Sequence, residues 1–215
     1  MAVALRPVSH NEGVSITSNE TRRPVGLAIF MIVASLIGLL AAFVLTLEKI
    51  HKLQFPDEAA SCDYSVIVQC GKNLASWQGS TFGFPNPLIG LIAWPVVLAT
   101  AVGLLAGARY ARWYWLAFNF VSAATLGFVI WLFSQSVFSL GTLCPWCMVT
   151  WSATIPLFWV ITFWNMKHGN WGTNANVRKL GETLLGWVVP IVLVSYIIEA
   201  FIAQMQLDWV ASLVR

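Results

Sequence analysis

Charge is the first thing this sequence lacks. Only 10% of its 215 residues are Asp, Glu, Lys or Arg, against about 25% in an ordinary soluble domain. With 58% hydrophobic residues and a mean hydropathy of +0.74, it cannot furnish a water-facing surface, and the chain is expected in a membrane. Basic residues are few as well, 12 against 9 acidic ones for a net charge of +3. They are scattered between apolar runs without forming a patch, which excludes a nucleic-acid-binding surface. A cleavable export signal is also missing. Arg22-Arg23 precedes an apolar run, but that run, residues 25–47, exceeds the roughly 7–15 residues of a signal core, and no small-x-small site with a soluble domain follows. Cysteine is reduced to four residues.

What the chain has is apolar sequence in helix-length runs. Crossing a bilayer takes about 20 residues per helix. Runs at residues 25–47, 85–105, 113–133, 144–164 and 183–206 predict five transmembrane helices and an all-α fold. Residues 1–24, rich in Ser, Thr and Asn, read as a flexible cytoplasmic tail. Residues 48–84 form the one sizeable extramembrane loop, 165–182 a second polar connection, and 207–215 a short outer tail. Phe82-Gly83-Phe84-Pro85-Asn86-Pro87 is a turn leading into a helix start, because proline is tolerated in a first helical turn. The length leaves no room for a further soluble domain, so any soluble partner is expected on another chain.

The charges predict an orientation. With the N-terminus cytoplasmic, inside segments hold Arg6, Arg22, Arg23, Arg109, Arg112, Lys167, Arg178 and Lys179, and outside ones hold Lys49, Lys52, Lys72 and Arg215. That excess satisfies the positive-inside rule. It also puts all four cysteines on the outer, oxidising side, where disulfides persist. Trp113, Trp115, Trp164, Trp171 and Trp209 fall where interfacial belt residues are expected.

Cys144-Pro145-Trp146-Cys147 opens the fourth run. Thiols three positions apart share a helix face, about one turn apart. With Cys144 as the cap, Pro145 takes the first helical position, and the free amides of the first turn favour thiolate. The second pair, Cys62 and Cys70, lies in the outer loop. A loop pair can meet a soluble dithiol and then exchange disulfides with a fixed pair in the bundle, carrying electrons into the membrane. Two structural disulfides, a four-cysteine zinc site and unrelated roles for the two pairs are the alternatives.

Cys62-x7-Cys70, Asn73-Leu74-Ala75-Ser76, Phe82-Gly83-Phe84-Pro85-Asn86 and Leu143-Cys144-Pro145-Trp146-Cys147, in that order, resemble the vitamin K epoxide reductase (VKOR) family in its bacterial form. The resemblance spans residues 25–164. In the analogous enzyme DsbB the C-x-x-C lies in the first outer loop, so the order of the pairs favours VKOR. The resemblance implies a four-helix transmembrane bundle around a quinone, ubiquinone or menaquinone, in a bacterial cytoplasmic membrane. It implies that Cys62 exchanges with a separate thioredoxin-like, DsbA-like protein, that Cys70 passes electrons to Cys144, and that Cys147 reduces the quinone. Ser76 and Asn86 are implied as contacts of the loop and quinone. Trp151 stands where the family carries tyrosine, so an aromatic wall or an indole N–H replaces a phenol.

A quinone-epoxide reductase would use the same residues. A scaffold or transporter subunit with structural disulfides is the reading from another class. The fifth helix lies outside the family's four-helix unit, and its Glu199 is a candidate proton relay or an interfacial acid.

Overall fold

The computed structural model describes residues 24–208 and 210, and among these it contains no strand, only an isolated one-residue bridge. The elements are α1 (Val25–Gln54), a short α2 (Gly71–Ala75), α3 (Pro87–Ala106), α4 (Arg112–Ser134), α5 (Pro145–Lys167), α6 (Ala175–Gly186) and α7 (Val188–Leu207). Five helices are long and apolar enough to span a bilayer: α1, α3, α4 with its continuation to Leu140, α5 and α7. The chain is therefore an all-α, multi-pass membrane protein. The expectations for residues 1–23 and for Trp209 fall outside the described residues.

α1 packs on α3 and α5, and α5 on α4, whereas α3 and α4 scarcely touch. Lipid is as apolar as the core, so close fit rather than water exclusion holds such helices together. Small residues supply that fit. A Cβ on Gly38 would collide with the Trp94 ring, and one on Gly90 would lie 2.7 Å from the Ala42 Cβ. Ala28, Met31, Ala42, Ala101 and Ile161 fill the interior, while Ile29, Val33, Leu36, Leu40 and Phe43 face outward on α1. Hydrogen bonds from Asn119 to Thr162 (2.9 Å) and from Asn165 to the Trp115 carbonyl (3.2 Å) tie α4 to α5. Trp115, expected at the interface, is instead buried in this core. Trp113 is exposed, as a belt residue would be.

Element ends differ from the expected ones for local reasons. Charge at Glu48 and Lys49 does not stop α1. The helix runs on to Gln54 and stops at Phe55, because the residue before Pro56 is disfavoured in the helical region. Between the third and fourth expected runs, α4 continues into a π-helical turn, Gln135–Leu140, ended by Gly141 in the left-handed region (φ 66°). Within the expected 165–182 connection lies α6, capped by the Asn174 side chain, which accepts from the Asn176 N–H at 2.9 Å. Its apolar residues recur at helical spacing but its mean hydropathy is low, so a search for apolar runs passes over it. α6 packs on α5, and Trp187 separates it from α7, which starts five residues later than expected, at Val188.

Candidate functional site

The C-x-x-C motif sits where its residue types place it. Cys144 is the N-cap of α5 with an extended backbone (φ −91°, ψ 116°), and Pro145 occupies the first turn. The Cys147 N–H donates to the Cys144 Sγ at 3.3 Å. Cys144 is fully buried, Cys147 partly so, and both are free thiols. The first-turn amide of α5 is thus aimed at the Cys144 sulfur.

The loop pair is joined as a disulfide, Cys62–Cys70, with Cα atoms 5.6 Å apart. Backbone pairing carries it to the motif. The Gln69 N–H donates to the Leu143 carbonyl (3.0 Å), and the Leu143 N–H to the Ile67 carbonyl (2.8 Å), a short parallel bridge. The residues before Cys70 thus lie beside those before Cys144. Cys62, Cys70 and Cys144 share one buried cluster with Leu45, Ala60 and Leu74, and Cys147 packs against it.

Polar contacts fix this arrangement. The Asp63 carboxylate accepts from the N–H groups of Ala60 (3.0 Å), Cys70 (2.7 Å) and Gly71 (2.8 Å). Asn73, on α2, donates to the Thr142 hydroxyl (2.9 Å) and accepts from the Ser136 hydroxyl (2.7 Å). Buried Lys49 donates to the Leu74 carbonyl, and Lys72 to the Leu140 carbonyl at 2.6 Å. The loop that carries the outer pair is therefore folded onto the bundle, and its disulfide is buried, Cys62 being 1% exposed.

A cavity of about 640 Å³ fills the gap between α3 and α4. Cys147, Ser76, Asn86 and Trp151 all line it, whereas Cys62, Cys70 and Cys144 do not. The C-x-x-C motif thus divides: Cys144 belongs to the loop's cluster and Cys147 to the cavity. Ile92, Val96 and Val121 line the cavity and are also exposed on the outer surface of α3 and α4, so it opens sideways toward lipid. Phe82 against Phe128 (5.4 Å between ring centres) and Trp77 against Trp131 (5.9 Å) pack the outer loop on α4. A hydrogen bond between Thr100 and Tyr114 joins α3 to α4 at the other end. The size is that of a small-molecule site. Its apolar walls, lipid-side entrance and few polar groups near a thiol fit an aromatic ring on an apolar tail.

Ser76 and Asn86 are engaged within the protein. The Ser76 hydroxyl donates to the Asn73 carbonyl (2.7 Å) and accepts from the Gly79 N–H (3.3 Å). Asn86 accepts from the Thr81 N–H (3.0 Å) and donates to the Gln78 carbonyl (2.6 Å). Trp151 packs edge-on against Phe133. Glu199 lies half-buried on α7 and does not line the cavity; nearby, Tyr196 donates to the Ser152 carbonyl at 2.6 Å. Asp63, Asn73, Gln78 and Gln135 were not singled out from sequence. Gln135, an amide following an apolar helix, carried the clearest unused signal.

Two cysteine pairs packed together, with one thiol on the wall of a lipid-accessible cavity, define a helical membrane protein of thiol and disulfide redox chemistry. The sequence model of the vitamin K epoxide reductase family matches residues 29–162, more than half of the chain, and the chain belongs to that family. It is accordingly a membrane oxidoreductase, in a family whose members work with disulfides and quinones. The match runs from α1 to near the end of α5 and leaves α6 and α7 outside it. A comparison with curated individual proteins finds no match.

Proposed function

We propose that the protein is a thiol oxidase that supports disulfide-bond formation, drawing electrons from a separate thioredoxin-like, DsbA-like protein and delivering them to ubiquinone or menaquinone. The observation that carries this reading is the division of the inner pair, with Cys144 in the cluster of the loop disulfide and Cys147 on the cavity wall. The basic connections, with Arg112, Lys167 and Arg178, lie at the end of the bundle away from the cysteines. By the positive-inside rule that end is cytoplasmic and the cysteines are extracytoplasmic, in a bacterial inner membrane.

In the proposed sequence a partner thiolate attacks the Cys62 sulfur, forming a mixed disulfide and freeing the Cys70 thiolate. The partner's second thiol displaces Cys62 and leaves oxidised. Cys70 attacks Cys144 of an oxidised Cys144–Cys147 pair and releases Cys147 as thiolate. Cys62 then attacks Cys70, restoring the loop disulfide and leaving Cys144 and Cys147 reduced. That last state is the one in the structure. A quinone, when bound, accepts two electrons and two protons as the inner disulfide reforms. Each exchange is nearly balanced, about 30 mV being equivalent to about 1.4 kcal/mol for two electrons, so the final acceptor sets the direction.

Burial of Cys62 adds a requirement. Residues 55–59 are exposed and held mainly by Glu48 to Ser61, Lys52 to the Pro56 and Glu58 carbonyls, and a His51–Glu58 pair at 3.2 Å. So few exposed contacts open locally at low cost, and partner attack uses that opening. The experiment is quinol formation by the full chain in lipid vesicles, with decylubiquinone or menadione as acceptor. Cys147→Ala is expected to abolish it with any donor. Cys62→Ala is expected to lose turnover with a reduced thioredoxin-like protein but to keep it with dithiothreitol. Undiminished quinol formation in Cys147→Ala refutes the assignment.

A further inference from the structure

One polar group in the cavity wall has no partner. Gln78 sits in the single-turn helix Trp77–Ser80, is 5% exposed and lines the cavity, and its Oε1 accepts no hydrogen bond among the described residues. Its Nε2 donates to the Oε1 of Gln135 at 3.3 Å, and Gln135 lines the cavity too. A buried amide with half its capacity unused is uncommon, because native interiors satisfy nearly all such groups. Turning both amides over does not remove the vacancy. Gln135 then donates to Gln78, and Gln78 is left with an N–H instead of an oxygen. In either arrangement the pair keeps one amide oxygen and one amide NH2 group outside the bond they share.

The surrounding structure holds that pair in place. The Gln78 carbonyl accepts from Asn86 Nδ2 (2.6 Å) and from the Thr81 hydroxyl (2.9 Å). Ser76 caps the same turn, its hydroxyl accepting from the Gly79 N–H. On the other side Gln135 begins the π-helical turn that follows α4, a local widening common at functional sites. Ser76 and Asn86 therefore spend their hydrogen bonds within the protein, on α2 and the Gln78 turn, and Gln78 lines the cavity with its Oε1 unpartnered.

We propose that Gln78 and Gln135 form the oxygen-recognition pair for the quinone-class ligand of this cavity, with Ser76 and Asn86 as positioning residues behind them. This rests on the thiol-oxidase reading and extends it. A quinone oxygen is a carbonyl and needs a donor. The corresponding quinol oxygen is a hydroxyl and needs an acceptor. An amide pair that keeps both an oxygen and an NH2 group outside its shared bond serves both forms, which a lone carboxylate or ammonium cannot do. A site built to hydrogen-bond an oxygen also rejects apolar occupants, which would leave its amides unpaired.

The test uses the full chain in phospholipid nanodiscs, oxidised and without a thiol donor so that nothing turns over. Decylubiquinone and menadione are titrated in turn, binding is read from quenching of cavity tryptophans, and the carbonyl band of the bound probe is recorded by infrared spectroscopy. The wild-type chain is expected to bind saturably and to lower the carbonyl frequency. Gln78→Leu is expected to bind roughly 3- to 10-fold more weakly, the worth of one neutral hydrogen bond. Its carbonyl band returns toward that of the free probe. Without probe, Gln78→Leu melts no lower than the wild-type chain, since it removes a vacancy. Gln135→Leu moves binding and the band the same way, and serves if Gln78→Leu does not fold. Unchanged affinity and band in both variants overturn the pair while leaving the thiol oxidase standing. If the wild-type chain binds neither probe saturably, both fall.

Discussion

Replacing Asn73 with alanine isolates the junction that aligns the two cysteine pairs. Asn73 lies three residues after Cys70 and reaches the segment before Cys144 through Thr142, and the π-helical turn through Ser136. All three side chains are buried, with Thr142 at 0% and Ser136 at 4% exposure. Each neutral hydrogen bond contributes about 1 kcal/mol net, and a buried group left unpaired costs about 1–3 kcal/mol. The two hydroxyls will not suffer equally. Ser136 can turn back to a carbonyl of the preceding helical turn, whereas Thr142 lies outside any helix and has no such recourse. The expected loss is therefore about 2–3 kcal/mol rather than the full sum. Reversible unfolding in mixed micelles measures it, and hydrogen exchange of residues 67–75 locates it. Asn73→Asp is the companion variant. It keeps the acceptor for Ser136, loses the donor to Thr142, and introduces a buried charge, so it is expected to be at least as damaging. If Asn73→Ala unfolds within about 0.5 kcal/mol of wild type and its loop exchanges no faster, the junction does not hold the loop and the reasoning fails.

Other perturbations test the packing, the loop cover and the cytoplasmic end. Gly38→Ala drives a methyl into the Trp94 ring and is expected to cost about 1–3 kcal/mol by overpacking, read in the same unfolding assay; a neutral result would show that α1 and α3 can separate freely. Glu48→Ala removes the anchor of Ser61 and is expected to speed reduction of the Cys62–Cys70 disulfide by dithiothreitol about 3- to 10-fold, the worth of about 1 kcal/mol for a solvent-exposed hydrogen bond. An unchanged rate would place the barrier elsewhere. His168 stacks on Trp164 with ring centres 3.7 Å apart. Burial holds its imidazole below the ordinary value of 6.5, the bond to the Trp164 carbonyl opposes this, and Lys167 and Arg178 add to the lowering. The unfolded chain therefore takes up the proton first as pH falls. His168's contribution to stability is full above about pH 6.5 and is lost as pH drops toward the folded value. His168→Gln is expected to flatten that slope in melting experiments across pH 5–7, and an unaltered slope would assign it to another group.

How far the sequence could be followed depended on the range of the interactions involved. Apolar runs longer than a bilayer is thick leave a chain no alternative to membrane helices, because a backbone in lipid must satisfy its own hydrogen bonds. Local rules also sufficed for the start of α5. A cysteine cap followed by proline gives the same geometry wherever it occurs, and the structure has it. The end of α1 was misread because charge at Glu48 was taken as a stop, whereas Pro56 sets it. The amphipathic α6 was hidden because its signal is periodicity rather than apolarity.

The sequence by itself determined the membrane class, the two cysteine pairs and, through the order of its motifs, the family. The resemblance implied unequal roles for the two inner thiols, and the tertiary structure supplies the physical reason for the difference. Cys144 and Cys147 are three residues apart and look equivalent in a string of letters. The parallel bridge of Val68 to Leu143 puts one in the loop's cluster, while the gap between α3 and α4 puts the other on the cavity wall. The vacancy on Gln78 is of the same kind. It arises from the balance of every hydrogen bond around one buried amide, contributed by residues far apart in the chain, and no local pattern records that sum.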